Sequence, residues 1–124
     1  LFDLSTAFAG RTFLSKCDGD EFCSGQFGGK STYDLLIKIL GEIDEGKSKC
    51  ISKLKEPAQR VAKNIRGSLG SRMLDGDRRI AIPPLLKRID RCNSADVENL
   101  NKFFNAGNDG PQIFSAALHD NICE

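Results

Sequence analysis

The chain of 124 residues lacks most of the features by which a sequence declares a chemistry. It has one histidine, His119, and no C-x-x-C pair among its five cysteines, so the ligand spacing of a zinc site is missing. No apolar run approaches the roughly 18 residues that a membrane-spanning helix needs, so no membrane span is expected. The formal net charge is only +1, too little for a strong overall field toward nucleic acid or a membrane. A G-x-S-x-G elbow, which would hold a hydrolase nucleophile, is absent. The nearest text, Gly67-Ser68-Leu69-Gly70-Ser71, has the wrong order and reads as a fraying helix end. There are no internal repeats, no low-complexity stretch and no signal peptide. The first residue is Leu1 rather than Met, and the expectation is a processed product or an excised piece.

Two stretches imitate ligand motifs. Residues 25–32 read GQFGGKST, close to a phosphate-binding loop. A P-loop needs four residues between its first glycine and the Gly-Lys-Ser/Thr triplet, so that successive N–H groups can surround a phosphate. Gly25 and Gly29 enclose three, and the text before them is polar rather than a buried strand. The stretch therefore predicts a loop, with Ser31 and Asp34 forming a capping box that opens a helix. Asp18-Gly-Asp20-Glu21 and Asp75-Gly-Asp77 resemble fragments of calcium loops. Twelve-residue EF-hand spacing puts Gly29 where a glutamate is required, so Asp/Gly turns are expected instead. No metal and no cofactor is expected.

The basic stretch Arg72, Arg78, Arg79, Arg88 and Arg91 is interleaved with Asp75, Asp77 and Asp90. No stacking aromatics accompany it, so a solvated, ion-paired face is expected and nucleic acid is not. His119 reads as a surface residue of an amphipathic helix. No nucleophile–base pair is visible, so the chain alone is not expected to be an enzyme.

Five cysteines without metal-ligand spacing point to disulfides and an oxidising, secreted or extracellular setting. Cys17 and Cys23 enclose five residues, which suits a small local loop. Of the remaining three, Cys50–Cys92 is favoured, leaving Cys123 unpaired.

Apolar residues recur at helical spacing almost throughout, and the expected fold class is all-α: one domain over 1–124, a compact bundle of about five or six helices with one or two disulfides. The first helix is expected over about Ser5–Lys16, with Phe8, Thr12 or Phe13, and Leu14 near one face. The second runs from Thr32 to about Glu45, with Leu36, Ile39, Leu40 and Ile43 apolar and Gly46 as the stop. The third runs from about Pro57 to Met73 on the row Val61, Ile65, Leu69. The fourth begins near Asp77 or at Pro83 and reaches Asp90; Pro83 and Pro84 begin or kink it. The fifth starts at Ser94 as N-cap, carries Val97, Leu100, Phe103 and Phe104, and stops at Gly107. The sixth follows Pro111 with Ile113, Phe114, Ala117, Leu118 and Ile122. Its apolar pattern still runs at Asn-Ile-Cys-Glu, as though cut from a longer polypeptide.

Residues 78–104, RRIAIPPLLKRIDRCNSADVENLNKFF, resemble the lid of secreted tripeptidyl-aminopeptidase-like α/β-hydrolases, serine peptidases related to prolyl aminopeptidases. Such lids are similar in an Ile-Pro-Pro or Ile-Pro-Ala step, a basic amphipathic helix, an Arg-Cys-Asn turn and a helix ending in aromatics. Phe8 to Cys17 followed by Glu21-Phe22-Cys23 is similar to the family's helix and two-cysteine loop. Cys50 falls where such lids often carry another cysteine. Leu118 to Glu124 resembles the return into the hydrolase core, with Cys123 in place of the family's serine. The resemblance implies a lid excised from a larger hydrolase, covering the active site and shaping access of peptide substrate. Its partner would be the α/β-hydrolase core of the same polypeptide. Family catalytic residues lie before and after the lid, so none is carried onto this chain. Pro83, Pro84, Leu85 and Arg88 are the expected substrate-facing surface. The alternative is a stand-alone secreted helical protein, of the effector or elicitor kind, that binds a host protein or lipid.

Overall fold

The computed structural model describes residues 4–66, 69 and 79–105, with side chains from residue 10 onward. The described residues form helices and no strand. The helices are α1 (Leu4–Gly19), α2 (Glu21–Gly25), α3 (Thr32–Asp44), α4 (Lys49–Ser52), α5 (Ala58–Lys63), α6 (Ile82–Arg91) and α7 (Ser94–Asn105). A single 3₁₀ turn, Arg79–Ala81, leads into α6. The fold class is as the periodicity predicts; α2 and α4 are additions too short for periodicity to reveal. Glycine 107, the helix after Pro111, His119 and Cys123 lie outside the described residues, as do Ser68 and Ser71.

The GQFGGKST stretch resolves into a stop and a start. Gly28 (φ +61°) and Gly29 (φ +78°) take left-handed conformations that L side chains rarely adopt. Gly29 N–H donates to Ser24 O and Gly28 N–H to Gly25 O, the paired bonds of a Schellman stop. Phe27, just before them, is buried. Ser31 then caps α3, its Oγ accepting from Asp34 N–H at 3.2 Å. The next amide is also taken: Thr32 N–H and Oγ1–H donate to Asp18 Oδ1 at 3.0 and 2.9 Å. A carboxylate of α1 therefore sits where a phosphate would have to bind. Thr32 is fully buried and its Oγ1 also lies 3.1 Å from Leu14 O.

α3 buries Leu35, Leu36, Ile39, Leu40 and Ile43 on one face. It ends in a second Schellman stop, with Gly46 (φ +69°) bonding to Ile43 O and Lys47 to Glu42 O. α1 packs on α2 and α3; α3 packs on α6; α6 packs on α7; and α7 packs on α5. α6 is thus the central helix. It buries Ile82, Leu85, Leu86 and Ile89 on one side and Pro84 and Arg88 on the other. Each of the four aliphatics contributes about 1.5–3 kcal/mol of transfer energy, an upper estimate before chain entropy. Pro83 and Pro84 begin α6 rather than kink it, because in the first turn a missing N–H costs nothing.

Two details depart from the sequence expectations. Val61 is 44% exposed, whereas Ala58, Ala62, Ile65 and Leu69 are buried. The inward row of α5 is set by alanines, whose small side chains let it lie close against α7. The N-cap of α7 is Asn93, not Ser94: Asp96 N–H donates to Asn93 Oδ1 at 2.9 Å and Asn93 N–H returns a bond to Asp96 Oδ2 at 3.0 Å. Asparagine and serine cap comparably, and here the reciprocal bond decides for asparagine.

Candidate functional site: the corner between α6 and α7

The chain turns from α6 into α7 through Cys92 and Asn93. Cys92 holds φ +46° and ψ +48°, left-handed for a residue with a Cβ, at a cost of about 1–2 kcal/mol. Its N–H closes α6 onto Arg88 O at 2.8 Å. Its sulfur is bonded to Cys50 of α4, with Cα atoms 5.7 Å apart. The other disulfide joins Cys17 to Cys23 across the α1–α2 turn, Cα atoms 5.1 Å apart, with Asp20 Oδ2 accepting from Cys23 N–H inside the loop. Both favoured pairings are present.

Asp96 is the centre of the corner. It is fully buried, and so is Arg88, whose Nη1 donates to Asp96 Oδ1 at 2.9 Å. Arg91 clamps the same carboxylate as a fork, Nε to Oδ2 at 2.8 Å and Nη2 to Oδ1 at 2.7 Å. With the Asn93 amide, Asp96 accepts four bonds. Burial alone would raise its pKa; the Arg91 bonds, the Asn93 amide and the charges of Arg91 and Arg88 outweigh that and hold it below the usual carboxylate range. Burial lowers the pKa of Arg88, against the attraction of Asp96. The Asp96 hydrogen bond raises that of Arg91. All three groups stay ionised near neutral pH, so the cluster fixes geometry and offers no general acid or base.

The four residues expected to form a substrate-facing surface are therefore distributed differently. Pro84, Leu85 and Arg88 are buried within the described fold, and Pro83 is half-buried. They pack the central helix, which is covered on both sides. Of the basic stretch, Arg72, Arg78, Asp75 and Asp77 lie outside the described residues; Arg88 and Arg91 join Asp96, Asp90 lies 3.6 Å from Lys30, and Arg79 stands over the Phe13 ring at 5.3 Å. Asp18 and Asp20 are spent on Thr32 and Cys23. Among the described residues no group of three or more His, Cys, Asp or Glu side chains could hold a metal ion. No described helix is long and apolar enough to cross a membrane. Sequence reasoning passed over Asp96. Its signal was the N-x-x-D spacing of Asn93 and Asp96 just beyond Arg88 and Arg91.

Comparison with protein-family models, with curated proteins and with solved structures gives no match to this chain.

Proposed function

We propose that the chain is the helical lid of a secreted serine hydrolase of the aminopeptidase kind, covering the active site and selecting which peptide ends enter. In this reading it contributes shape and carries no catalytic residue. One observation supports it most: the described part of the segment that resembles such lids, residues 79–104, forms the centre of the fold. The Ile-Pro-Pro step opens the central helix, and the Arg91-Cys92-Asn93 turn is held by a disulfide, a left-handed residue and a buried ion cluster. A lid must keep its shape while it excludes water, and a corner fixed in this way does so. Two disulfides suit the extracellular setting that the reading requires.

The test is to read the encoding transcript outward from both ends of the segment. A G-x-S-x-G elbow upstream, with an aspartate and a histidine downstream, is the expected result. A stop codon directly after Glu124 and a signal peptide directly before Leu1 would overturn it. Peptidase and esterase assays on the purified chain should give no turnover; activity abolished in His119→Ala would also overturn the reading.

The second reading, a stand-alone partner-binding protein, draws on the exposed apolar side chains Phe22, Ile37, Val61 and Ile80.

A further inference from the structure

The net charge of +1 conceals a separation. Residues 47–66 hold seven cationic side chains against a single anion, Glu56, a local net charge of +6, so the other 104 residues sum to −5. This stretch is the α4–α5 hairpin. Its buried residues, Cys50, Ile51, Leu54, Ala58, Ala62 and Ile65, face the core, and the disulfide to Cys92 pins it there. Three of the cations are engaged: Lys47 with Glu45 at 3.1 Å, Arg60 with Glu56 at 3.5 Å, and Arg66 with Asp44. The other four, Lys49, Lys53, Lys55 and Lys63, are exposed and make no ion pair among the described residues.

The geometry points to the α4–α5 hairpin as a docking surface for an anionic lipid bilayer, bound through its headgroup phosphates and carboxylates. Three features favour this occupant. The unengaged cations are all lysines, compact point charges suited to a diffuse anionic plane rather than to bidentate readout of one group. No aromatic residue lies between 47 and 66, so the stacking platform of a single-strand nucleic-acid site is missing. Val61 is exposed on α5 next to Arg60, an apolar contact that a headgroup layer can accept. The inference does not depend on the lid reading. It holds whether or not the chain also covers a hydrolase.

The test is co-sedimentation of the oxidised full chain with phosphatidylcholine vesicles, with and without phosphatidylserine, at low and physiological salt. The expected result is binding only to the phosphatidylserine vesicles, weakened by salt. The variant K49Q/K53Q/K55Q/K63Q should lose on the order of a hundredfold in partition coefficient, since each cation near an anionic surface is worth several-fold. A control with the same charge change elsewhere, K16Q/K30Q/K38Q/K102Q, should stay within a few-fold of the parent. Should the first variant lose its helical circular dichroism, Lys53→Glu and Lys63→Glu made singly carry the test, each costing at least about tenfold. Equal losses in variant and control would overturn the proposal, because net charge rather than the hairpin would be responsible. Binding to neutral vesicles would overturn it as well. So would tighter binding to a DNA duplex at the same salt, which would make the hairpin a nucleic-acid surface.

Discussion

Replacing Asp96 with asparagine keeps the size of the side chain and one capping oxygen but removes the charge that Arg88 and Arg91 share. Arg91 is partly exposed and can turn to water; Arg88 is fully buried and cannot. The substitution breaks the buried ion pair between Arg88 and Asp96, and breaking such a pair costs about 3–5 kcal/mol. The reciprocal capping bond from Asn93 N–H survives in weakened form, so that contribution is small beside the first. Urea unfolding of oxidised protein is the assay. For a slope of about 1–3 kcal/mol per molar, the midpoint should fall by roughly 2 M. A second substitution, Arg88→Met, should recover most of the loss in the Asp96→Asn background, because it removes the buried charge while keeping an apolar stem. The pH dependence follows from the same carboxylate. Its folded pKa lies below its unfolded value, so its contribution is complete above the ordinary carboxylate range near 4 and is lost as pH falls through the folded pKa. The parent should therefore lose stability relative to Asp96→Asn only in acid, below about pH 4. A loss under about 1 kcal/mol at pH 7, or no rescue by Arg88→Met, would refute the view that this pair organises the corner.

Two further outcomes can be checked with the same equipment. In the chain-entropy model the Cys50–Cys92 bond contributes about 4 kcal/mol and the shorter Cys17–Cys23 loop about 2, so the C50A/C92A variant should melt well below C17A/C23A; the reverse order would contradict it. Ala62→Leu should cost about 1–3 kcal/mol by overpacking α5 against α7, while Val61→Lys should change stability by less than about 0.5; equal effects would mean that the inward face of α5 is misassigned.

Where a helix announced itself by both caps and pattern, the sequence was readable. Ser31, the apolar row ending at Ile43 and the stop at Gly46 define α3 almost to the residue. On the row expected for α5 and the residues after it, Ile65 and Leu69 are buried but Val61 is not: Val61 outweighs alanine on any hydrophobicity scale, whereas close packing against α7 favours Ala58 and Ala62. The corner was the least legible part. An arginine inside a basic run looks like surface, and periodicity counts Arg88 among the solvated residues. The three-dimensional placement of α6 between α3 and α7 gives it a buried second face, and the ion pair to Asp96 on the next helix offsets the cost of burying its charge. Pro83, Pro84 and Leu85 were likewise assigned to a surface because a helix covered on both sides cannot be told from a half-covered one by its own sequence.

The Cys50–Cys92 bond spans 42 positions of chain, from the short α4 to the end of α6. A protease that cuts anywhere between those two cysteines does not release a fragment. The nicked molecule keeps its mass, migrates as one band without reductant, and separates into two pieces only when a thiol is added. Cleavage in that span leaves the two pieces covalently joined, and its record stays hidden until reduction.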